Sequence, residues 1–299
     1  MKVILAEHLG ICFGVRDAIA QAEQLATEAP LTILGQLVHN PIVRERLRVN
    51  GIHEGSLDVP GSIRLRQDTA RQAPHRVMIT AHGASDQKRE MWRRAGFDVV
   101  GGTCPLVQHA HGQLKRLVSY GFFPVVIGKH DHVEVRGLTE DFSEAVVIEI
   151  SSDIPNLPAR DRYGVISQTT QPIDSVRALV KEIQEQHPDS EVRFIDTVCR
   201  PTKDRQLALR KLISVCDAIV VVGGHQSNNT RQLVETCLAA GKPAFHIECA
   251  DELKSHWFTQ NDDVGLTAGT STLSETVEAV RQRLEEISRN QTNQKQQRS

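Results

Sequence analysis

The sequence predicts an α/β fold built from three small domains of similar size, and three observations carry that expectation. Short apolar runs alternate with helical patterns along almost the whole chain of 299 residues, the signature of βα units and largely parallel sheets. Cys12, Cys104 and Cys199 fall 92 (104 − 12) and 95 (199 − 104) residues apart. Each lies downstream of a strand-like run, KVILA, FDVV or VRFI, and leads through a short turn into a helix start. Division at these cysteines gives domains 1–104, 105–199 and 200–285, a pseudo-threefold set of α/β units.

The apolar runs read in order as strands at Lys2 to Leu5, Leu31 to Leu34, Arg76 to Thr80, Phe97 to Val100, Pro124 to Gly128 and Ala145 to Ile150. The series continues with Tyr163 to Ser167, Val192 to Ile195, Ala218 to Val222, Ala244 to Ile247 and Val264 to Thr267. Helices fit between them at Val15 to Glu28, Pro105 to Ser119, Ile173 to Gln186 and Leu273 to Ser288. Asn40 before Pro41 marks a further helix start, an N-cap residue ahead of proline at the first helical position. The tail 286–299, ending in SRNQTNQKQQRS, has too little apolar content to anchor it and is expected to be disordered.

A hydrophobic content of 39% is enough to bury substantial cores. Lys plus Arg total 35 against 37 for Asp plus Glu, so the net charge of −2 implies no basic surface of the kind that grips nucleic acid. No stretch approaches a membrane span, and MKVILAEHLG is too short and too polar for an export signal. A cytoplasmic protein with reduced thiols is expected, in which cysteines bind metal more readily than they pair.

Three thiolates on three equivalent loops are one short of a closed tetrahedral zinc or iron–sulfur site, and the open position is where chemistry can occur. Cys216, starting an apolar strand, and Cys237, within a helical pattern, read as packing residues. Cys249 ends a strand, and its role stays open.

Four polar turns follow strands: LVHNP, ITAHGAS, GKHDHVEVRG and VVVGGHQSNNTRQ. Ligands of parallel sheets bind beyond the carboxyl ends of strands, where these turns lie. The backbone N–H groups of GGHQSNNT, with Ser227, Asn228 and Asn229, can cradle a phosphate at a helix start, and TAGTST around Ser271 repeats the arrangement. Capping is the plainer role for either turn alone, and neither matches a Walker or dinucleotide fingerprint. His39, His82 and His132 occupy comparable turns, where imidazole donates hydrogen bonds to an anion. Glu134 is the carboxylate best placed to deliver a proton. His109, His111 and His130 read as surface residues.

GICFGVRDAI at Cys12, VHN at His39, AHG at His82, TCPLV at Cys104, HVEVRG at His132 and QTT at Thr169 follow in order. DTVCRPTKDRQ at Cys199, GGHQSNNT at Ser227 and TAGTST at Ser271 complete the set. Together, over residues 1–285, they resemble the 4-hydroxy-3-methylbut-2-enyl diphosphate reductase family of the non-mevalonate isoprenoid pathway. The resemblance implies a trefoil of three α/β domains around a central [4Fe-4S] cluster held by Cys12, Cys104 and Cys199. It implies a substrate pocket lined by His39, His82, His132, Thr169, Ser227, Asn228, Asn229 and Ser271, with Glu134 supplying protons. The activity implied is reductive dehydroxylation of the diphosphate substrate to isopentenyl and dimethylallyl diphosphate, with electrons from a ferredoxin or flavodoxin type of donor. Val133 stands where the family commonly has proline, Arg136 where it has an acidic residue and Leu273 where proline is common, and extra residues fall near GSIRLRQDTARQA. A non-catalytic iron–sulfur carrier or redox sensor is the alternative, although it has no need of phosphate-cradling turns.

Overall fold

The computed structural model describes residues 1–60, 75–258 and 263–298, so the extra residues near GSIRLRQDTARQA lie outside the described residues. Its elements run β1 (Lys2–Leu5), α1 (Phe13–Glu28), β2 (Leu31–Leu34), α2 (Pro41–Val49), β3 (His53–Gly55), β4 (Arg76–Ile79), α3 (Asp86–Arg94) and β5 (Asp98–Gly101). They continue as α4 (Pro105–Ser119), β6 (Phe123–Ile127), α5 (Val133–Thr139), β7 (Val146–Ile148), β8 (Arg162–Ser167), α6 (Ile173–Gln186) and β9 (Glu191–Phe194). The last are α7 (Arg200–Val215), β10 (Ala218–Val222), α8 (Asn228–Ala239), β11 (Ala244–Ile247), β12 (Asp263–Ala268) and α9 (Ser274–Arg298).

The strands form three four-stranded parallel sheets, ordered β3-β2-β4-β5, β7-β6-β8-β9 and β11-β10-β12-β1. In each, the first strand of the unit sits second, its successor flanks it outside, and the third and fourth follow on the other side. The fold class expected from the sequence, α/β with three small domains, is therefore present. One strand is exchanged: β1, which sequence order groups with the first segment, pairs with β12, Lys2 opposite Asp263 through Leu5 opposite Leu266. By packing, the chain divides into two units, Met1–Cys12 with His39–Pro41 and Arg200–Ser299, and Phe13–Val38 with Ile42–Cys199.

The central strands β2, β6 and β10 are buried along their whole length, which explains why they read as continuous apolar runs rather than alternating ones. Side chains on β6 and β8 still alternate between faces. Val125, Ile127 and Val165 pack with Val176, Val180 and Ile183 of α6, whereas Val126 and Ile166 pack with Ala110, Leu114 and Leu117 of α4. In the third sheet Val220, Val222 and Leu266 meet Val280, Leu284 and Ile287 of α9, and Ile219 and Val221 meet Leu209 and Leu212 of α7. The expectation of a disordered tail is corrected here, because α9 runs on to Arg298. Ile287 is buried, the Ser288 hydroxyl donates to the Met1 carbonyl, and the Gln- and Arg-rich sequence beyond lacks glycine and proline and so continues the helix.

Candidate functional site

One backbone device recurs in all three sheets. The residue after each central strand is a glycine, and its N–H donates to the carbonyl ending the outer strand: Gly35 to Gly55 (2.7 Å), Gly128 to Ile148 (3.0 Å) and Gly223 to Ile247 (2.9 Å). At φ +149° Gly223 holds a conformation that L side chains rarely adopt, and a Cβ there would lie 2.6 Å from Thr230 Oγ1. The fifth residue beyond each central strand is then His39, His132 or Ser227, so the turns chosen from sequence are equivalent in the fold. Each leads into a helix: His132 N-caps α5 and Ser227 N-caps α8, its hydroxyl accepting from the Thr230 N–H.

A second device fixes the three cysteines. Each immediately precedes or caps a helix, α1, α4 or α7, and its N–H donates to a carbonyl in the turn after the neighbouring strand. The pairs are Cys12 to Thr270 (2.9 Å), Cys104 to Ala81 (3.0 Å) and Cys199 to Thr169 (2.9 Å). These acceptor turns carry Ser271, His82 and Thr169. None of the three cysteines forms a disulfide, all are half-buried, and a helix N-terminus favours an anionic sulfur ligand. Gly14, two residues past Cys12, leaves room for one of them, since a Cβ there would stand 2.5 Å from Cys104 Sγ. This donor set fits a thiolate-held metal group.

Around Cys199 the second unit assembles an acid. Glu134 is 2% exposed, and its Oε1 accepts the Thr169 N–H at 2.6 Å. Burial pushes its carboxyl up to about 7, with the Thr169 hydrogen bonds opposing. Thr169 thus binds the acid through its N–H and Cys199 through its carbonyl. His132 Nδ1 accepts the Glu134 N–H at 3.1 Å, so the neutral ring carries its proton on Nε2. The His82 ring stands edge-on to it, with centroids 5.7 Å apart.

The first unit gathers the remaining polar residues. Ser227, Asn228, Asn229 and Ser271 are all buried at the ends of β10 and β12. Asn229 Oδ1 accepts the Thr270 N–H (3.0 Å), Asn40 Nδ2 donates to the Ser271 carbonyl (2.6 Å), and the Ser271 hydroxyl contacts the His39 carbonyl (3.5 Å). Gly224 lets the His39 carbonyl approach closely. Sequence reasoning missed Asn40 as part of this cluster because its side chain reads as a cap.

Cys216 and Cys237 are buried among aliphatic side chains, as expected; burial raises the Cys216 thiol and pushes Cys237 up to about 12. Cys249 Sγ lies 3.5 Å from Glu252 Oε1. His109 and His130 are exposed, but His111 is not a surface residue: its ring is largely covered and contacts Asp141 at 3.1 Å. Ligand atoms of Asp86, His111 and Asp141 lie within 4.8 Å of one another. Asp141 there accepts the N–H groups of Asp86 and Gln87, and Lys115 pairs with Asp86, which is the arrangement of a helix cap and an ion pair. Arg136 is half-exposed and pairs with Asp58 and Glu140.

The family model for LytB protein matches residues 3–285. A protein of Aquifex aeolicus named 4-hydroxy-3-methylbut-2-enyl diphosphate reductase is 34% identical over 293 residues, covering 96% of this chain and 97% of its own length. One of the same name from Anaeromyxobacter sp. is 35% identical over 284 residues, covering 94% and 95%. Among solved structures, the E-1-hydroxy-2-methyl-but-2-enyl-4-diphosphate reductase of Plasmodium falciparum superposes with a TM-score of 0.83 at 26% identity, over 92% of this chain and 85% of that one. A second, titled (E)-4-hydroxy-3-methyl-but-2-enyl diphosphate reductase, gives 0.65 at 32% identity, over 96% of this chain and all of that one.

Proposed function

We infer, for a chain that belongs to the LytB protein family, that it is a 4-hydroxy-3-methylbut-2-enyl diphosphate reductase. The structural observation that best supports this activity is the double use of Thr169, which ties a buried carboxyl of raised pKa to the backbone of a candidate ligand cysteine. Reductive removal of a hydroxyl consumes two electrons and two protons and releases water, so an acid beside a redox group is the required pairing.

In this reading Cys12, Cys104 and Cys199 hold a [4Fe-4S] cluster, which when bound supplies electrons and a Lewis-acidic iron lacking a protein ligand. Ser227, Asn228, Asn229 and Ser271 bind the diphosphate with the N-terminal N–H groups of α8, whose dipole favours an anion. The diphosphate is remote from the bond that breaks, so its binding energy orients the hydroxyl end toward the acid. His132 presents its Nε2–H, and His39 and His82 add donors that hold the substrate without a fixed positive charge. Glu134, protonated in about half of the molecules near pH 7, delivers a proton through the Thr169 turn. The electron donor is an external carrier of ferredoxin or flavodoxin type. A pure electron carrier would have no use for this buried acid.

The test is anaerobic purification with iron and sulfide analysis, followed by turnover of the hydroxylated diphosphate with a chemical reductant. Iron and sulfide in equal amount with formation of both isomeric products is expected. Metal-free protein after reconstitution, or cluster-loaded protein without turnover, would refute it.

A further inference from the structure

We propose that His246 is a positioning residue for the diphosphate turn, its imidazole N–H fixing the carbonyl of Gly223; this rests on the assignment of that turn to the diphosphate. The turn after β10 opens with two glycines in succession, Gly223 and Gly224, so no side chain restrains the peptide between them. The orientation of that peptide matters for the helix that follows. The next carbonyl, that of Gly224, accepts the Ser227 N–H (2.9 Å), and Ser227 caps α8. Whatever holds Gly223 therefore also holds the α8 N–H groups assigned to the anion.

Three successive residues at the end of β11 hold it. The Ile247 carbonyl accepts the Gly223 N–H (2.9 Å), His246 Nε2 donates to the Gly223 carbonyl (2.8 Å), and Glu248 Oε1 accepts the His225 N–H (2.8 Å). Two of these anchors belong to a shared scaffold. In the second sheet the Ile148 carbonyl accepts the Gly128 N–H, and Glu149 Oε2 accepts the His130 N–H (3.0 Å). The third anchor does not recur: the residue equivalent to His246 is Val147 there and Glu54 in the first sheet, where Glu54 pairs with Arg44, and neither offers an N–H. A side-chain donor at this position is thus confined to the one turn of the three read as the diphosphate site.

His225 sets the direction of the imidazole. A carbonyl only accepts, so the His246 proton lies on Nε2, and Nδ1 of the neutral ring accepts from His225 Nδ1 at 3.3 Å. Burial lowers the His246 pKa and His225 adds to the lowering, against the Gly223 hydrogen bond and the nearby Glu248 and Glu252 carboxylates. The ring is therefore neutral at pH 7, with one nitrogen to give and one to receive. An anchor formed before the substrate arrives removes ordering cost from binding, so its loss appears in affinity rather than in the chemical step.

The test titrates inorganic pyrophosphate onto the holoenzyme by calorimetry, beside steady-state KM and kcat for the hydroxylated diphosphate. His246→Leu removes the donor, and pyrophosphate affinity and KM should both worsen by about tenfold with iron content and kcat close to wild type. His246→Gln carries an amide N–H at the same reach as the imidazole Nε2 and should restore most of that affinity. NMR of histidine-labelled holoenzyme should show the proton on Nε2 of His246 and on Nδ1 of His225. Equal pyrophosphate affinity in wild type and His246→Leu would overturn the proposal, as would equal losses in the Leu and Gln variants or a proton on Nδ1 of His246. Wild-type protein that binds no pyrophosphate would remove the diphosphate assignment itself, and the proposal with it.

Discussion

Replacing Glu134 by Gln changes one buried titrating group, and its effect on stability can be worked from the structure. The carboxyl has a folded-state pKa of about 7 against 4.5 for the ordinary group, because burial outweighs the hydrogen bonds from Thr169. The folded chain binds this proton more tightly than the unfolded one. The wild type therefore loses stability as pH climbs from about 4.5 to about 7 and stays lower beyond. With these two values the loss is on the order of 1 kcal/mol at pH 5.5 and 3 kcal/mol at pH 8.5, a difference of about 2 kcal/mol. Glutamine has no proton to lose, so the stability of Glu134→Gln relative to wild type should rise by that amount across the interval, read by anaerobic urea unfolding at both pH values. Turnover should fall in parallel, since roughly 3% of Glu134 remains protonated at pH 8.5, and the variant should lose about 10²–10⁴ in kcat at neutral pH. A stability difference that does not change with pH would refute the argument that Glu134 is a buried acid titrating near neutrality.

Gly14→Ala should improve helix propensity by about 0.5–1 kcal/mol yet lower the iron bound per chain, because the new Cβ meets Cys104 Sγ at 2.5 Å; undiminished iron would contradict the cradle. Thr197 Oγ1 accepts the Ser167 N–H (2.8 Å) and donates to the Ser167 carbonyl (2.6 Å), both buried. Thr197→Val leaves that pair unmet and should cost about 2–5 kcal/mol in urea unfolding, while a loss below measurement would mean that the strand end relaxes freely. Cys237→Ala should leave the metal content unchanged, whereas Cys199→Ser should reduce it, as read by iron analysis of both proteins.

The parallel sheets were legible because β2, β6 and β10 are buried on both faces and advertise themselves as unbroken apolar runs. Helices α4 and α6 were legible to the residue, as proline opens one and periodic Val176, Val180 and Ile183 mark the other. Strand β3, HEG, was not: it is a short edge strand with polar, mostly exposed side chains, and only its pairing with β2 makes it a strand. The placement of β1 in the third sheet was equally hidden, since an apolar tetrapeptide carries no label for the partner it pairs with. The candidate site residues were named from residue types, cysteine and histidine in turns after strands. The geometry that ranks them, such as the burial of Glu134 and its bond to Thr169, depends on residues 35 apart in sequence and has no local signature.

The repetition of the turns places a carboxyl and an amide at equivalent positions of one backbone device. Glu134 and Asn229 each sit two residues past the fifth position of their turn, and each accepts a threonine N–H, Thr169 at 2.6 Å or Thr270 at 3.0 Å. Each of those threonines in turn offers its carbonyl to a cysteine, Cys199 or Cys12. The two side chains therefore do the same structural task, and they differ in whether the position can hold a proton or a negative charge. Under the proposed assignment a proton is delivered at the acid position, whereas beside Ser227 and Asn228 a carboxylate would repel the diphosphate, and the amide keeps the hydrogen bond without the charge. Asn229→Asp tests this division, since the oxygen that accepts from Thr270 is retained while a charge is added to a buried site. The KM for the diphosphate substrate should rise tenfold or more, about 1.4 kcal/mol of lost binding, with kcat changed far less. An unchanged KM would show that the diphosphate does not bind at this turn, and the assignment of Ser227, Asn228 and Ser271 would fall with it.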